Sequence, residues 1–239
     1  MSFPPPPPPP PPPRRASRPA VRRRAPNGTP VAGALIGVNL AIYLFDAVQS
    51  FDSGLLTDQV SDVQSRMVIA QQFLDDGEWW RLVTAGFVHF GLLHVAMNML
   101  LLFQLGRMLE PALGSARFGL LYAASLLGGS AGAVLVSPDA FTGGASGAVF
   151  GLMAAAVVGV RGRGGNPFAT GLGATFAVNI ALTLAIPGIS IGGHFGGAIA
   201  GAVSGAALLP PVRYRPPQWV QIAVPVAVGT ACVLLAMSR

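Results

Sequence analysis

Residues able to do acid–base or nucleophilic chemistry are few in this chain, and four of them stand out by their apolar surroundings. The chain contains three histidines, His89, His94 and His194. Ser146 lies among small residues in the stretch Gly143–Phe150, where a polar loop becomes an apolar run. A serine hydroxyl becomes a good nucleophile only when a base lies within hydrogen-bonding reach. Ser146 and His194 therefore have the residue types of an acyl-transfer pair, nucleophile and base.

An acyl-transfer site also needs hydrogen-bond donors for the negative charge that develops on the attacked oxygen. His94 and Asn98 are spaced i, i+4 and so project from one helix face. With the backbone N–H of Ser146, they are the candidate oxyanion donors. Gly144 would let a substrate backbone approach the nucleophile closely. Phe150, one helical turn after Ser146, can either stack its ring on His194 or fill the core, and the sequence leaves both open.

The base has no acidic partner in the second part of the chain. After Asp139 the sequence contains neither Asp nor Glu, so no carboxylate on the following helices can orient His194. We therefore predict a Ser–His dyad in which packing holds the imidazole.

Helix packing is a competing interpretation for part of this pattern. Ser146 beside Gly144 and Gly147 would also suit a close contact between two membrane helices. The segment around His194 is predicted to have a smooth contact face made of glycines: Gly193, Gly197, Gly201 and Gly205. Packing does not explain His194 itself, because Ala would pack there without the cost of desolvating an imidazole.

The composition predicts a membrane protein. Of 239 residues, 10% are charged and 52% are hydrophobic, whereas soluble domains contain roughly 25% charged residues. The pattern therefore predicts an all-α polytopic membrane protein with seven helices near the length that spans a bilayer, the fourth being short. The runs are Val31–Val48, Leu92–Met108, Ala116–Val136, Ser146–Val160, Phe168–Ile186, Ser190–Leu209 and Gln218–Met237.

Charge predicts the orientation and the domain organisation. Arginines gather in every second loop, and cytoplasmic loops are rich in Arg and Lys, so we place the N-terminus in the cytoplasm and the acidic loop 49–83 outside. That loop is predicted to hold an amphipathic helix, with Trp79 and Trp80 at headgroup level.

We divide the chain into a disordered Pro/Arg-rich tail (1–30), a catalytic membrane domain (31–209) and a linker with an extra helix (210–239). Arg without Lys, amid Ala, Gly and Val, is typical of a GC-rich bacterium and thus of a bacterial inner membrane.

The tail and the histidines permit other functions, which the sequence disfavours. The Arg14–Arg24 cluster is better suited to bind anionic lipid than nucleic acid, and we interpret the Pro4–Pro13 run as a spacer.

A transporter or channel would explain polar residues at membrane depth, but the chain lacks buried acids and an obvious inverted repeat. The chain also lacks His-Glu-x-x-His, which argues against zinc chemistry, and no metal or cofactor is predicted.

The motifs together resemble the rhomboid family of intramembrane serine proteases. The matching residues lie between about 78 and 201: Trp80-Arg81; His89, His94 and Asn98; Gly106, Glu110, Gly114 and Phe118; Gly144-Ala145-Ser146-Gly147; and His194, Gly197 and Gly201. Phe150 stands where members often have Tyr, and Gly193 where Ala is usual.

The resemblance implies a six-helix bundle. With the seventh helix, the chain has the form known in this family as six-plus-one. It implies that Ser146 and His194 are catalytic, that His94 and Asn98 serve the oxyanion, and that His89 is structural or adjacent to the site. It also implies substrates that are single-span membrane proteins, cut near the outer face. A catalytically inactive relative that binds or sorts membrane proteins is the alternative within the family.

Overall fold

A computed structural model describes residues 28–52, 61–214 and 216–239. The Pro4–Pro13 run and the Arg14–Arg24 cluster lie outside these ranges. The described chain forms α-helices and two 3-10 turns, Ala85–Phe87 and Pro167–Thr170, and it contains no β-strand. The helices are α1 (Pro30–Asp52), α2 (Asp62–Met67), α3 (Gln71–Asp75), α4 (Arg81–Thr84), α5 (Leu92–Leu113), α6 (Ser115–Val136), α7 (Ser146–Gly162), α8 (Leu172–Ala185), α9 (Ile191–Leu208) and α10 (Gln218–Met237).

The seven predicted membrane helices are present as α1 and α5 to α10. Five of them are long and apolar enough to cross a membrane, while α7 and α8 are shorter. The short α7 was predicted, but the prediction for the fifth segment was wrong at its start. Pro167–Thr170 forms a 3-10 turn there, and Gly171 has a φ of 77°, a conformation that favours glycine. The remaining helix, α8, therefore has only 14 residues.

Glycines allow α9 to pack directly on the backbones of α6 and α7. A Cβ at Gly197 would overlap the backbone of Gly147, and one at Gly201 would overlap that of Gly151. Because the residue numbers rise together, α9 runs parallel to α7. On its other side, Gly192 lies against Gly132. These contacts confirm the predicted glycine face and bring the first turns of α7 and α9 to the same end of the bundle, called the site end below.

The opposite end of the bundle is held by a buried acid, which the sequence analysis did not expect. Glu110 is 2% exposed, and its carboxylate accepts hydrogen bonds from the N–H groups of Val31 and Ala32 at 3.0 and 2.9 Å. The Ser115 hydroxyl donates to the same carboxylate at 2.7 Å. Glu110 thus satisfies free N–H groups in the first turn of α1, where negative charge is also favoured by the helix dipole. The premise that the chain has no buried acid was therefore wrong.

The segment between α1 and α5 folds onto the site end as three short helices rather than one amphipathic helix. Ile69 and Thr142 exchange two backbone hydrogen bonds of 2.9 Å, which tie this segment to the loop before α7. Arg81 lies over the Phe73 ring at 3.8 Å and forms an ion pair with Glu78. The segment is thus helical, as predicted, but it is divided into short pieces, because the Ile69–Thr142 pairing and the Arg81 contacts stabilise a folded loop.

The extra C-terminal helix, α10, packs on α6 and α9. Gly229 of α10 faces Leu127 and Ala124 of α6, and Ala236 is fully buried. On the other side of the bundle, α8 packs against α7 and α9. The two helices that matter most for the site, α7 and α9, are therefore enclosed by neighbours on both sides.

Candidate active site

Ser146 is the first residue of α7, at the site end of the bundle. The preceding loop is fixed by its backbone: Gly144 has a φ of 127°, and its N–H donates to the carbonyl of Ala85 at 2.8 Å. A φ in this range is strained for residues with a side chain, so Gly144 is required for the turn that presents Ser146. Ser146 itself is half-buried.

His194 lies in the first turn of α9 at the same end. The turn is capped by Ser190, whose side-chain oxygen accepts a hydrogen bond from the N–H of Gly193 at 3.1 Å. The imidazole is 8% exposed and stacks on the ring of Phe150 with centroids 4.0 Å apart and an angle of 20°. Of the two interpretations of Phe150, stacking is confirmed, and the same ring is also buried in the core.

The spacing between α7 and α9 is set by glycines directly beside the two candidate catalytic residues. Gly129 of α6 lies against Gly147, which follows Ser146, and against the carbonyl of Gly193, which precedes His194. A Cβ at Gly129 would lie 3.0 Å from the Gly147 Cα atom and 3.2 Å from the Gly193 oxygen. The separation of the serine and histidine backbones is therefore fixed by main-chain contact.

The His194 ring has a hydrogen-bonding partner that the sequence analysis did not identify. The hydroxyl of Thr183, on α8, lies 2.7 Å from His194 Nδ1, and Thr183 is 2% exposed. The prediction that packing alone holds the imidazole was therefore incomplete. The i, i+4 series Thr175, Asn179 and Thr183, a polar stripe on an apolar helix, is the sequence signal that would have pointed to it.

Ser146 and His194 do not form a direct hydrogen bond with each other in the described structure. Partners in such pairs often lie further apart without substrate and approach in the reacting complex. The hydrogen bond at Nδ1 is taken by Thr183, so the nitrogen available to Ser146 is Nε2.

His94 and Asn98 lie on the same face of α5, as their spacing predicted. The position that a Cβ of Gly144 would occupy is 2.8 Å from His94 Nε2 and 3.8 Å from Ser146 Oγ, so His94 borders the turn that carries the serine. Asn98 is 5% exposed, and its amide donates to the carbonyl of His94 at 3.0 Å. His94 is thus close to the turn, and the role of His94 and Asn98 as oxyanion donors stays a prediction.

His89 is a buried contact of the loop that precedes Ser146. Its Nε2 accepts the N–H of Ala145 at 3.4 Å, and its ring meets that of His94 edge to face, with centroids 4.9 Å apart. Burial lowers the pKa of His89 to about 4, with a smaller contribution from His94, while the carbonyl of Phe87 acts in the opposite direction. The ring is therefore neutral at pH 7 and able to accept this hydrogen bond.

The part of the chain that the structure describes contains no cluster of three or more His, Cys, Asp or Glu side chains suited to a metal ion. His89 and His94 are in ring contact with each other, whereas His194 faces Phe150 and Thr183.

The helices and the site define an all-α polytopic membrane protein with a serine, a histidine and their supporting residues at one end of the bundle. The model of the Rhomboid domain matches residues 76–211, which include α5 to α9 and every candidate site residue. The chain belongs to the rhomboid family, and the predicted resemblance is confirmed.

Several proteins of this family are similar to the chain. Rhomboid protease GluP of Bacillus subtilis is 33% identical over 176 residues, 70% of this chain and 34% of that protein. Putative rhomboid protease YdcA of the same organism is 34% identical over 124 residues, 52% of this chain and 59% of that protein. RHOMBOID-like protein 5 of Arabidopsis thaliana is 36% identical over 103 residues, 42% of this chain and 33% of that protein. The chain thus spans less than two thirds of the length of each of these relatives.

Proposed function

We propose that the chain is an intramembrane serine endopeptidase that cleaves single-span membrane proteins near the outer face of the membrane. The observation that carries the proposal is that Ser146 and His194 lie at the same end of the bundle, on parallel helices held in contact by glycines. Family membership supports it, as do the names of two similar proteins, Rhomboid protease GluP and Putative rhomboid protease YdcA.

In the proposed reaction, Ser146 Oγ attacks the scissile carbonyl and transfers its proton to His194 Nε2. The negative charge on the carbonyl oxygen is stabilised by the backbone N–H of Ser146 and by His94 and Asn98. His194 then gives the proton to the leaving amine as the C–N bond breaks. Water then gives a proton to His194 and attacks the acyl carbon, and His194 returns the proton to Ser146 Oγ as the ester bond breaks. A helical substrate must unwind locally first, because its carbonyls are hydrogen-bonded within the helix.

We also propose how the chain sits in its membrane. Residues 31–209 form the catalytic membrane domain of a bacterial inner-membrane protein, preceded by the tail (1–30) and followed by the linker and extra helix (210–239). The N-terminus is cytoplasmic and the site end faces outward. The arginines near the ends of α5, α6 and α7 support this orientation, because Arg107, Arg117, Arg161 and Arg163 lie toward the end of the bundle opposite Ser146.

The test is reconstitution of the full chain in lipid vesicles with a panel of single-span membrane proteins. We expect the wild type to cut at least one of them, Ser146→Ala and His194→Ala to cut none, and a chelator to change nothing. Ser137→Ala is a matched control, since Ser137 is exposed in the loop before α7 and should leave cutting intact. Cutting by Ser146→Ala would refute the proposal. Binding of the panel proteins without any cutting by the wild type would instead support the inactive relative.

A further inference from the structure

The hydroxyl of Thr183 contacts two atoms on different helices. It lies 2.7 Å from the carbonyl oxygen of Asn179 in its own helix, α8, and 2.7 Å from Nδ1 of His194 in α9. Thr183 is 2% exposed, and His194 is 8% exposed. Water therefore competes poorly for either contact, and the donor and acceptor of each hydrogen bond can be assigned from the hydrogens available.

The proton count determines which group donates. A carbonyl oxygen only accepts, and a hydroxyl has one hydrogen to give. If the Thr183 hydrogen pointed to His194 Nδ1, the Thr183 and Asn179 oxygens would face each other at 2.7 Å without a hydrogen between them, which is repulsive. The hydroxyl therefore donates to Asn179, and its lone pair accepts a hydrogen from Nδ1 of His194.

A hydrogen on Nδ1 leaves the lone pair of the neutral imidazole on Nε2. That is the nitrogen which must take the proton of Ser146 in the proposed reaction. In serine hydrolases with a third residue, an acidic side chain at Nδ1 fixes this tautomer and the orientation of the ring. Here no acid follows Asp139 in the sequence, and the hydroxyl of Thr183 occupies the position beside Nδ1.

The other polar residues of α8 show that this contact is more than ordinary helix back-bonding. Thr175 donates to the carbonyl of Gly171 at 3.1 Å, and Asn179 donates to that of Thr175 at 2.8 Å. Each side chain in the stripe bonds the carbonyl one turn earlier, as buried threonines in membrane helices commonly do. Within the described residues, Thr183 is the member of the stripe that also bonds a side chain of another helix.

We propose that Thr183 is a positioning residue for the dyad: it holds His194 in the Nδ1–H tautomer and in the ring orientation that directs Nε2 toward Ser146. This inference rests on the proposed function of the dyad. Because Thr183 is neutral, it fixes the base without stabilising the imidazolium as a carboxylate would. Its loss should therefore slow the reaction less than the loss of a triad acid.

The first test is ¹⁵N NMR of the full-length protein with labelled histidine in detergent or lipid, at neutral pH. The signal of His194 is assigned by its loss in His194→Ala. We expect the Nδ1–H tautomer in the wild type and in Thr183→Ser, and a mixture of tautomers in Thr183→Val. A wild-type His194 with its hydrogen on Nε2 would overturn the proposal, and no enzymatic activity is needed to decide it.

The second test is kinetic and uses a substrate found in the vesicle assay. Thr183→Val should lower kcat about 10-fold, the size expected for loss of one hydrogen bond, while KM stays within about twofold. Thr183→Ser should recover most of the rate. Thr175→Val, two turns earlier on the same stripe, is the matched control and should behave as wild type. If Thr183→Val does not fold, Thr183→Ala with a thermal unfolding scan replaces it.

The outcomes separate the two proposals. Full kcat and an unchanged tautomer in Thr183→Val would overturn the role of Thr183 and leave the protease proposal standing. Cutting by Ser146→Ala would remove the protease proposal, and the NMR comparison would still decide whether Thr183 fixes the ring. An equal loss of rate in Thr175→Val would mean that the stripe acts only through the stability of α8, which also overturns the proposal.

Discussion

Substitution of Gly129 by Ala places a single methyl group between the two helices that carry Ser146 and His194. The new Cβ would lie 3.0 Å from the Gly147 Cα atom and 3.2 Å from the Gly193 oxygen. Carbon atoms in contact prefer about 3.5 to 4.0 Å. The first turn of α7 must therefore move by roughly half an ångström, and the first turn of α9 by somewhat less.

The effect on rate follows from that displacement. A misplacement of 1 Å in an active site can cost about 100-fold, so half of it should lower kcat by about 10-fold, or about 1.4 kcal/mol of activation free energy. The free energy of unfolding should fall by at most about 2 kcal/mol. The strain of overpacking, about 1 to 3 kcal/mol, is partly offset by the better helix propensity of Ala, worth about 1 kcal/mol.

The assay measures kcat in vesicles and unfolding in detergent for Gly129→Ala and two controls. Gly37→Ala has open space around its Cβ and should leave both quantities near wild type. Gly205→Ala would place its Cβ 2.6 Å from that of Ala155, a larger overlap, but roughly 16 Å further along α9 from His194. It should destabilise more and slow the folded enzyme less. Full activity in a well-folded Gly129→Ala would refute the claim that these glycines set the dyad geometry.

Three further predictions concern residues that hold the site or the bundle. The contribution of neutral His89 to the free energy of unfolding should be complete above pH 6.5, the ordinary pKa of histidine, and should be lost as the pH falls toward the folded pKa of about 4. The loss amounts to about 3 kcal/mol. Unfolding measured as a function of pH should show a shallower decrease in His89→Gln than in the wild type, and equal curves would contradict this. Phe150→Leu removes the ring stacked on His194 and should lower kcat about 2- to 13-fold, as expected for about 0.5–1.5 kcal/mol, whereas an unchanged kcat would show that Phe150 acts only as a core residue. Glu110→Gln puts an amide donor against the N–H groups from which Glu110 now accepts hydrogen bonds. It should cost about 1 to 3 kcal/mol of unfolding free energy, measured by thermal or denaturant unfolding. Glu78→Gln, in a half-buried ion pair, keeps an amide oxygen that can accept from Arg81 and should cost less.

Much of the fold was predictable because each membrane helix corresponds to a long apolar run in the sequence. α10 matches its prediction at both ends, and α5, α6, α7 and α9 begin within one residue of theirs. The start of α8 was wrong because hydropathy does not register a 3-10 turn at Pro167. The folded segment between α1 and α5 was also not predictable, since the pairing of Ile69 with Thr142 joins residues far apart in the chain.

The candidate site was predictable in its residue types and less so in its support. Ser146 and His194 stand out because polar side chains are costly at membrane depth. Thr183 did not, because a threonine that bonds its own helix carbonyl carries little cost in a membrane and is therefore common there. The hydrogen bond to His194 depends on how α8 lies beside α9, which periodicity does not specify.

Glycine has the smallest side chain available, and this places a lower bound on the distance between α7 and α9. No substitution at Gly147, Gly197 or Gly201 can bring these helices closer, and any single change there pushes them apart. The spacing between the backbones that carry Ser146 and His194 is thus already at the minimum that the genetic code allows. In the proposed protease, adaptation to new substrates would therefore proceed through α8 and the loops, where a side chain can be replaced by a larger or a smaller one.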